Sequence, residues 1–229
     1  MANGSNGTVS GESVSVSTLD IQNQQGHWPP IDFVRIDTAD QAARIVVGGR
    51  AFFGQNSPLV MYEFKHGMDD STGLRWLFEV LGYKSYRLLG DASLLVPVAS
   101  DEHFDLYELN LFAAKPDRAA SLAEQGLLIL EFATLSLSDR EREQALDRLL
   151  ELPYARSFEF SAEDVLECPY AESIINYAAY RFLDISPARH FAALGSAYEM
   201  ISSWCQDNPT PTGLATLIRI ALDLGRRES

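Results

Sequence analysis

The sequence has few cysteines and a shortage of basic residues, and each shortage excludes a class of protein. Its two cysteines, Cys168 and Cys205, lie far apart, and neither has a His or Cys beside it at metal-ligand spacing. We therefore expect neither a disulfide framework nor a metal site. Only 18 Lys and Arg face 32 Asp and Glu, and the net charge of −14 repels phosphate backbones and anionic lipid surfaces. Nucleic acid is therefore not an expected partner.

The sequence also lacks any long apolar run. Residues 1–13 are rich in Gly, Ser and Asn, without the basic start and apolar stretch of a signal peptide. Elsewhere the apolar runs, such as residues 127–130, fall far short of the roughly 20 residues that cross a bilayer. We expect a flexible tail over residues 1–13, no membrane partner, and a cytoplasmic protein whose cysteines are ordinary thiols.

Apolar residues make up 46% of the 229-residue chain, enough for one sizeable core or two modest ones. The texture of the sequence changes near residue 133. Before that point, strand-like runs alternate with helical patterns, and after it the chain is helical throughout. The sequence therefore predicts an α/β region followed by an α-helical region.

The α/β region begins with a strand–helix–strand–helix pattern. Residues 31–37 follow Pro29 and Pro30 and predict a strand, and residues 40–53 predict a helix with a weak point at Gly48 and Gly49 and an end at Gly54. The almost continuously apolar start of residues 58–65 is typical of a strand covered on both faces, as in a parallel sheet. A helix over residues 69–81 follows. Three further strands are predicted at residues 83–89, 93–98 and 108–114, and their short connections favour antiparallel pairing.

Helix start signals recur in the helical region. Ser138 and Glu141 fit a capping box at the start of a helix that runs to Leu152. Further helices are predicted over residues 172–183, from Ser186 and Pro187, and from Thr210 and Pro211. No repeat period emerges from counting, so a small helical bundle or hairpin pair is expected, with a solenoid as the alternative.

Ligands of open α/β sheets bind beyond the carboxyl ends of the strands, and charged residues cluster at two such ends. Asp37 and Asp40 follow the first strand, and Glu63, Lys65 and His66 end the second. The two Asp residues can instead cap the next helix, and Glu63 and Lys65 can simply pair with each other. A site with His66 as a base is the functional alternative.

Several segments of the chain form a pattern by their order and spacing: residues 17–20, 31–37, 58–67, 82–87, 109–118 and 216–226. The first five, over roughly residues 15–130, resemble the second half of FkbM-type S-adenosylmethionine-dependent methyltransferases. Residues 133–229, with the segment at 216–226, resemble a helical extension of some bacterial members. The chain is thus divided into the tail at 1–13, the C-terminal half of an FkbM-like domain at 14–132, and the helical region at 133–229.

The resemblance implies half of a Rossmann-like sheet with antiparallel last strands, and transfer of a methyl group from S-adenosylmethionine to a hydroxyl of a sugar or natural product. The acceptor is then a small molecule or a glycan. Asp37, Glu63, Lys65 and His66 are the implied catalytic residues. Asp20, Asp37 and Asp40 are implied to bind the cofactor.

The sequence departs from the family in two ways. Where the family usually has Asp-x-Glu-Gly, the chain reads Asp37-Thr-Ala39-Asp40, so one acid is missing from its expected place. The Gly-rich turn and the acidic residue that usually hold the cofactor have no place in this chain. The strand at residues 31–37 is then left with an unpaired edge. We expect residues 14–17, the helical region, a second copy of the chain or an upstream polypeptide to cover it, with incompleteness or self-association favoured.

Two functions remain open at this point. The chain is either a methyltransferase of the FkbM type, truncated or degraded in isolation, or a binding or assembly module that keeps the sheet and has lost cofactor binding. An unrelated doubly wound hydrolase is disfavoured because the sequence has no Gly-x-Ser-x-Gly elbow.

Overall fold

The computed structural model describes residues 16–38, 41–63, 69–89, 93–98 and 110–226. These residues form a mixed α/β region followed by a helical region, as predicted. The strands are β1 (Phe33–Ile36), β2 (Leu59–Glu63), β3 (Lys84–Leu89), β4 (Leu94–Pro97) and β5 (Asn110–Ala114). The helices of the first region are α1 (Leu19–Gly26), α2 (Ala42–Val47), α3 (Arg50–Asn56), α4 (Asp69–Val80) and α5 (Pro116–Glu124).

The five strands form one open sheet in the order β1-β2-β5-β3-β4. Strand β1 is parallel to β2, whereas β5 is antiparallel to both of its neighbours, β2 and β3. Strand β4 is antiparallel to β3. The antiparallel pairing predicted for β3 and β4 is therefore confirmed, whereas β5 pairs with β3 and β2 and not with β4. Because β5 separates β2 from β3, the chain reaches the far side of the sheet before it returns to the middle.

Helices α2, α3 and α4 supply side chains to a core on one face of the sheet, and aromatic rings fill much of it. The rings of Phe53 and Phe78 lie 5.9 Å apart in an edge-on contact, and Tyr62 lies 5.2 Å from Phe78. The Tyr83 hydroxyl donates a hydrogen bond of 3.0 Å to the Phe53 carbonyl, and burial raises the pKa of Tyr83 well above its usual value. This core fixes α3 and α4 against the strands that end at the candidate site.

The prediction of a single helix over residues 40–53 is wrong. The structure has two helices, α2 and α3, separated at Gly48 and Gly49, and α3 continues through Gly54 to Asn56. Helix α1 lies against the break: a Cβ at Gly49 would come within 2.8 Å of Leu19 Cδ2. The Asp20 amide also donates to the Gly48 carbonyl over 3.1 Å. A long-range contact therefore ends the first helix where local sequence showed only a weak point.

The helical region packs around a second core, as a bundle. Ser138 and Glu141 form the predicted capping box. Arg189 of the third long helix donates a hydrogen bond to Glu141 of the first long helix, and this bond joins the two helices. The same hydrogen bond lowers the pKa of Glu141 to about 2. Thr210 caps the last helix through the Gly213 amide. Two short helices before the second long helix were not predicted. The helices are α6 (Asp139–Leu150), α7 (Pro153–Ser157), α8 (Ala162–Leu166), α9 (Ala171–Phe182), α10 (Pro187–Asp207) and α11 (Pro211–Asp223).

Residues 127–129 and the helical region together cover the β4 side of the sheet. Residues 127–129, near the end of the α/β region, bond to Leu95 of β4 through two backbone hydrogen bonds of 2.9 and 3.0 Å. Phe191 of α10 packs on the apolar residues of this end. The buried Arg87 of β3 donates to the carbonyl of Leu224, just beyond α11, over 3.1 Å. Apolar packing and a buried hydrogen bond therefore join the two regions.

The opposite edge of the sheet, along β1, has no strand beside it in the described part of the chain. The Leu59 amide donates to the Asp32 carbonyl, so by the alternation of a parallel ladder the amides and carbonyls of Phe33 and Arg35 point away from β2. Phe33 is 50% exposed. Residues 16 and 17, part of the segment expected to fold back as a strand, are not a strand, and residues 14 and 15 lie outside the described residues. Within the described part of the chain, the edge is therefore open to pairing.

The fold predicts a large stability difference between two leucines of the sheet. We expect Leu111→Ala, in β5, to lower the free energy of unfolding by about 2–5 kcal/mol, because it leaves a cavity under fully buried neighbours. Leu88→Ala, in β3, is the matched control, since Leu88 is 43% exposed. Urea unfolding of the two variants tests this, and equal losses would contradict the central position of β5.

Candidate functional site

The carboxyl ends of β1 and β2 lie side by side, as the strand-end hypothesis requires. Ile36 is in register with Tyr62, so Asp37 and Glu63 are the next residues along the two strands. Parallel strands lie about 4.8 Å apart, and residues in register point to the same face of the sheet. The structure therefore brings two of the predicted catalytic residues to one edge of the sheet.

The two carboxylates have different surroundings. Asp37 accepts a hydrogen bond of 2.7 Å from Arg35, and both side chains are more than half exposed, so this ion pair contributes little to stability. Glu63 is half-buried and lies opposite Asn110 of β5. It forms no ion pair with any residue that the structure describes. The Glu63 carboxylate is therefore the more available of the two for a ligand or a proton.

The predicted cofactor-binding residue Asp20 has a structural task. Its carboxylate oxygens accept hydrogen bonds of 3.2 Å from the Ala51 amide and 2.8 Å from the Phe52 amide, in the first turn of α3. A carboxylate at a helix N-terminus satisfies free amides and favours the helix dipole. These contacts lend no support to cofactor binding by Asp20. They join residues 31 and 32 positions apart, so no local sequence pattern could have indicated them.

The remaining predicted site residues, Asp40, Lys65 and His66, lie outside the described residues. Their roles stay predictions. Within the described part of the chain, no three His, Cys, Asp or Glu side chains form a group able to hold a metal ion.

The helical region contains a cavity that no sequence pattern indicated. It has a volume of about 780 Å³ and lies between α6, α9 and α11, with α7 and α8 along one side. Most of its wall is apolar, and two arginines, Arg181 and Arg219, line it from different helices. The helix from Ser138 to Leu152 and the helix over residues 172–183 were both predicted, but nothing in the sequence indicated that they leave a space between them.

No family model, curated protein or solved structure matches the chain. Over the residues described, no helix combines the length and apolar character needed to span a membrane.

The capping role of Asp20 predicts a loss of stability on substitution. We expect Asp20→Ala to lower the free energy of unfolding by about 1 kcal/mol, because two amides of α3 lose their acceptor. The matched control is Asp37→Ala, whose ion pair is exposed. Thermal unfolding of the two variants measures the difference. If Asp20→Ala were as stable as the control, the capping assignment would be wrong.

Proposed function

We propose that the α/β region is the acceptor-side half of an S-adenosylmethionine-dependent methyltransferase of the FkbM type, acting on a hydroxyl group of a sugar or natural product. The supporting observation is the sheet itself. Two parallel strands end side by side, and an antiparallel β5 joins them to a third strand of the same direction, β3. This arrangement agrees with the Rossmann-like half sheet with antiparallel last strands that the sequence resemblance implies.

The described residues fit the acceptor side of such a site better than the cofactor side. No Gly-rich turn follows β1, where the described chain continues with Asp37 and Thr38, and the residues after β2 lie outside the described part. Asp20 and Asp37 both already have partners. The cofactor must therefore take most of its contacts from other residues of the protein or from a partner.

Within this proposal, the chain's own residues position the acceptor and take its proton. When bound, S-adenosylmethionine supplies an electrophilic methyl group. Glu63 accepts the proton of the acceptor hydroxyl, because its carboxylate is half-buried and forms no ion pair with a described residue. Asp37, at the next strand end, accepts a hydrogen bond from a second hydroxyl and orients the acceptor. Alignment of the reacting groups contributes most of the rate.

The open edge of β1 is where the sheet would be completed. The outward amides and carbonyls of Phe33 and Arg35 can pair with one further strand, as the edge of a half sheet requires. That strand belongs to a second copy of the chain, to an upstream polypeptide or to a part of this chain outside the described residues, and the first two were favoured from the sequence. In each case it places new residues beside Asp37.

Binding of S-adenosylmethionine tests the proposal. We expect calorimetric titration of the full chain to show one site, and ligand at 100 times Kd to stabilise the protein by about 2.7 kcal/mol in thermal unfolding. Asp37→Asn should leave this binding unchanged, because Asp37 is assigned to the acceptor and not to the cofactor. If neither heat nor stabilisation appears at millimolar ligand, the proposal is wrong.

The second candidate is a non-catalytic binding or assembly module. One observation favours it: two of the three carboxylates expected to hold the cofactor, Asp20 and Asp37, are engaged within the chain. In this case the sheet serves as a scaffold and the helical region binds a partner. The same titration separates the candidates, because a module of this kind does not bind S-adenosylmethionine.

A further inference from the structure

We propose that the cavity between α6, α9 and α11 binds a small, uncharged apolar molecule. The volume of the cavity, its apolar wall and the partners of its charged side chains together favour this class of ligand. The site lies within the helical region and goes beyond the proposed methyl transfer.

The cavity has the size and the wall of a small-molecule site. Its volume of about 780 Å³ falls within the range of about 300–1,000 Å³ that is usual for ligand pockets. Leu149 of α6 and Ile174, Ala178 and Phe182 of α9 line it. Such a wall offers water few hydrogen-bond partners, and apolar cavities of this kind bind apolar molecules.

Two aromatic side chains of the wall remain partly in water. Tyr154 of α7 and Phe160, which lies between α7 and α8, both line the cavity and are both at least half exposed. Aromatic rings carry large apolar areas whose burial stabilises cores and binding sites. An apolar ligand in the cavity would remove part of this area from water.

The two arginines of the wall already have partners inside the protein, around a buried acid of α11. The Asp223 side chain is only 3% exposed, and its Oδ2 atom accepts hydrogen bonds from the Tyr177 hydroxyl over 2.7 Å and from Arg181 over 3.2 Å. Arg219 donates to the Tyr177 hydroxyl over 3.1 Å and lies 3.8 Å from the other Asp223 oxygen. The arginines therefore do not require an anionic ligand.

The acidic side chain of the wall is partnered in the same way. The Asp164 carboxylate accepts hydrogen bonds from the amide of Ser161 over 2.8 Å and from its hydroxyl over 2.6 Å. With Arg181 and Arg219, it completes the charged residues that line the cavity in the described part of the chain. A charged ligand would lose water at this wall and would have to compete with these internal partners, so the site favours an uncharged one.

Polar contacts between the helices hold the walls of the cavity in place. The bonds of Tyr177 and Arg181 to Asp223 join α9 to α11, and Arg142 of α6 bonds to Glu172 of α9. Closure of the space would require the three helices to shift against these contacts. The cavity is therefore formed before a ligand enters, as is usual for small-molecule sites.

A neutral fluorescent probe and three matched competitors test the ligand class. The full chain is titrated with N-phenyl-1-naphthylamine, whose emission rises in apolar surroundings, and we expect saturable binding at one site. Naphthalen-1-ylmethanol should displace the probe. The anion 1-naphthoate and the cation 1-naphthylmethylammonium have the same rings and should need concentrations about tenfold higher or more, because their charges must lose water.

Two outcomes of this titration would overturn the proposal. One is displacement by a charged competitor at the same concentration as the alcohol, since the site would then not select an uncharged ligand. The other is the absence of saturable probe binding, which would instead favour an amphipathic helix of a partner protein as the occupant.

A pair of tryptophan variants locates the site. Ala215→Trp narrows the cavity from an exposed lining position and should weaken probe binding about tenfold, while Leu214→Trp, at the neighbouring position outside the lining, should not. Both positions are exposed, so both variants should fold. If Ala215→Trp binds the probe as tightly as the unchanged protein, the ligand lies elsewhere and the assignment is wrong.

Cys168 provides a second readout, because it lines the cavity and is only partly buried. The other cysteine of the chain, Cys205, is buried, and burial raises the pKa of its thiol, which slows its reaction. We expect saturating probe to slow the modification of Cys168 by iodoacetamide several-fold, as measured by mass spectrometry, with Cys168→Ser as the control for Cys205. An unchanged rate would contradict binding in this cavity.

Discussion

The sheet depends on the insertion of β5 between β2 and β3. Strand β5 is hydrogen-bonded to both along its backbone, and the Tyr62 hydroxyl of β2 also lies 3.2 Å from the Ser85 hydroxyl of β3. Leu111 and Ala113 of β5 are fully buried in the core that α2, α3 and α4 complete. Without this strand the parallel pair β1–β2 and the hairpin β3–β4 would lose the backbone hydrogen bonds that join them. The geometry of the strand-end site therefore depends on residues that are far from it in sequence.

The two edges of the sheet differ, and this difference organises the molecule. The β4 edge is covered by residues 127–129 and by α10, and Arg87 joins it to the end of α11. The β1 edge is open in the described chain, although its four-residue length and the Arg35–Asp37 ion pair limit unwanted pairing. Residues 127–129 and the helical region thus close one side of the sheet, and the candidate site lies toward the open side. The apolar cavity lies within the helical region.

Most elements could be predicted because their signals are local. The strands β1 to β5 fall within the predicted segments, and α6, α10 and α11 begin at the caps that Ser138, Ser186 and Thr210 indicated. The break between α2 and α3 could not be predicted in the same way. It depends on α1, which packs on Gly48 and Gly49 from more than 20 residues away, as the contact with Leu19 shows. The order of the strands could not be predicted from the sequence either, because an apolar β5 was compatible with several neighbouring strands in the sheet.

The candidate sites were predictable to different degrees. The placement of Asp37 and Glu63 followed from a general rule about the ends of parallel strands. The role of Asp20 did not, since its partners are amides of α3. The cluster around Asp223 was also hidden, because Tyr177 and Arg181 lie on α9, which is 42 to 46 residues away along the chain. Pairings of this kind arise from helix packing, and a single sequence carries no pattern for them.

The central claim is that a further strand completes the sheet at β1. Residue-resolved hydrogen exchange of the protein in its native assembly tests this directly. The amides of Val34 and Ile36 face β2, so they should exchange slowly in any case. We predict that the outward amides of Phe33 and Arg35 exchange as slowly as these two, because they bond to an added strand. Fast exchange of Phe33 and Arg35 beside protected Val34 and Ile36 would contradict the account, since it would show that the sheet ends at β1.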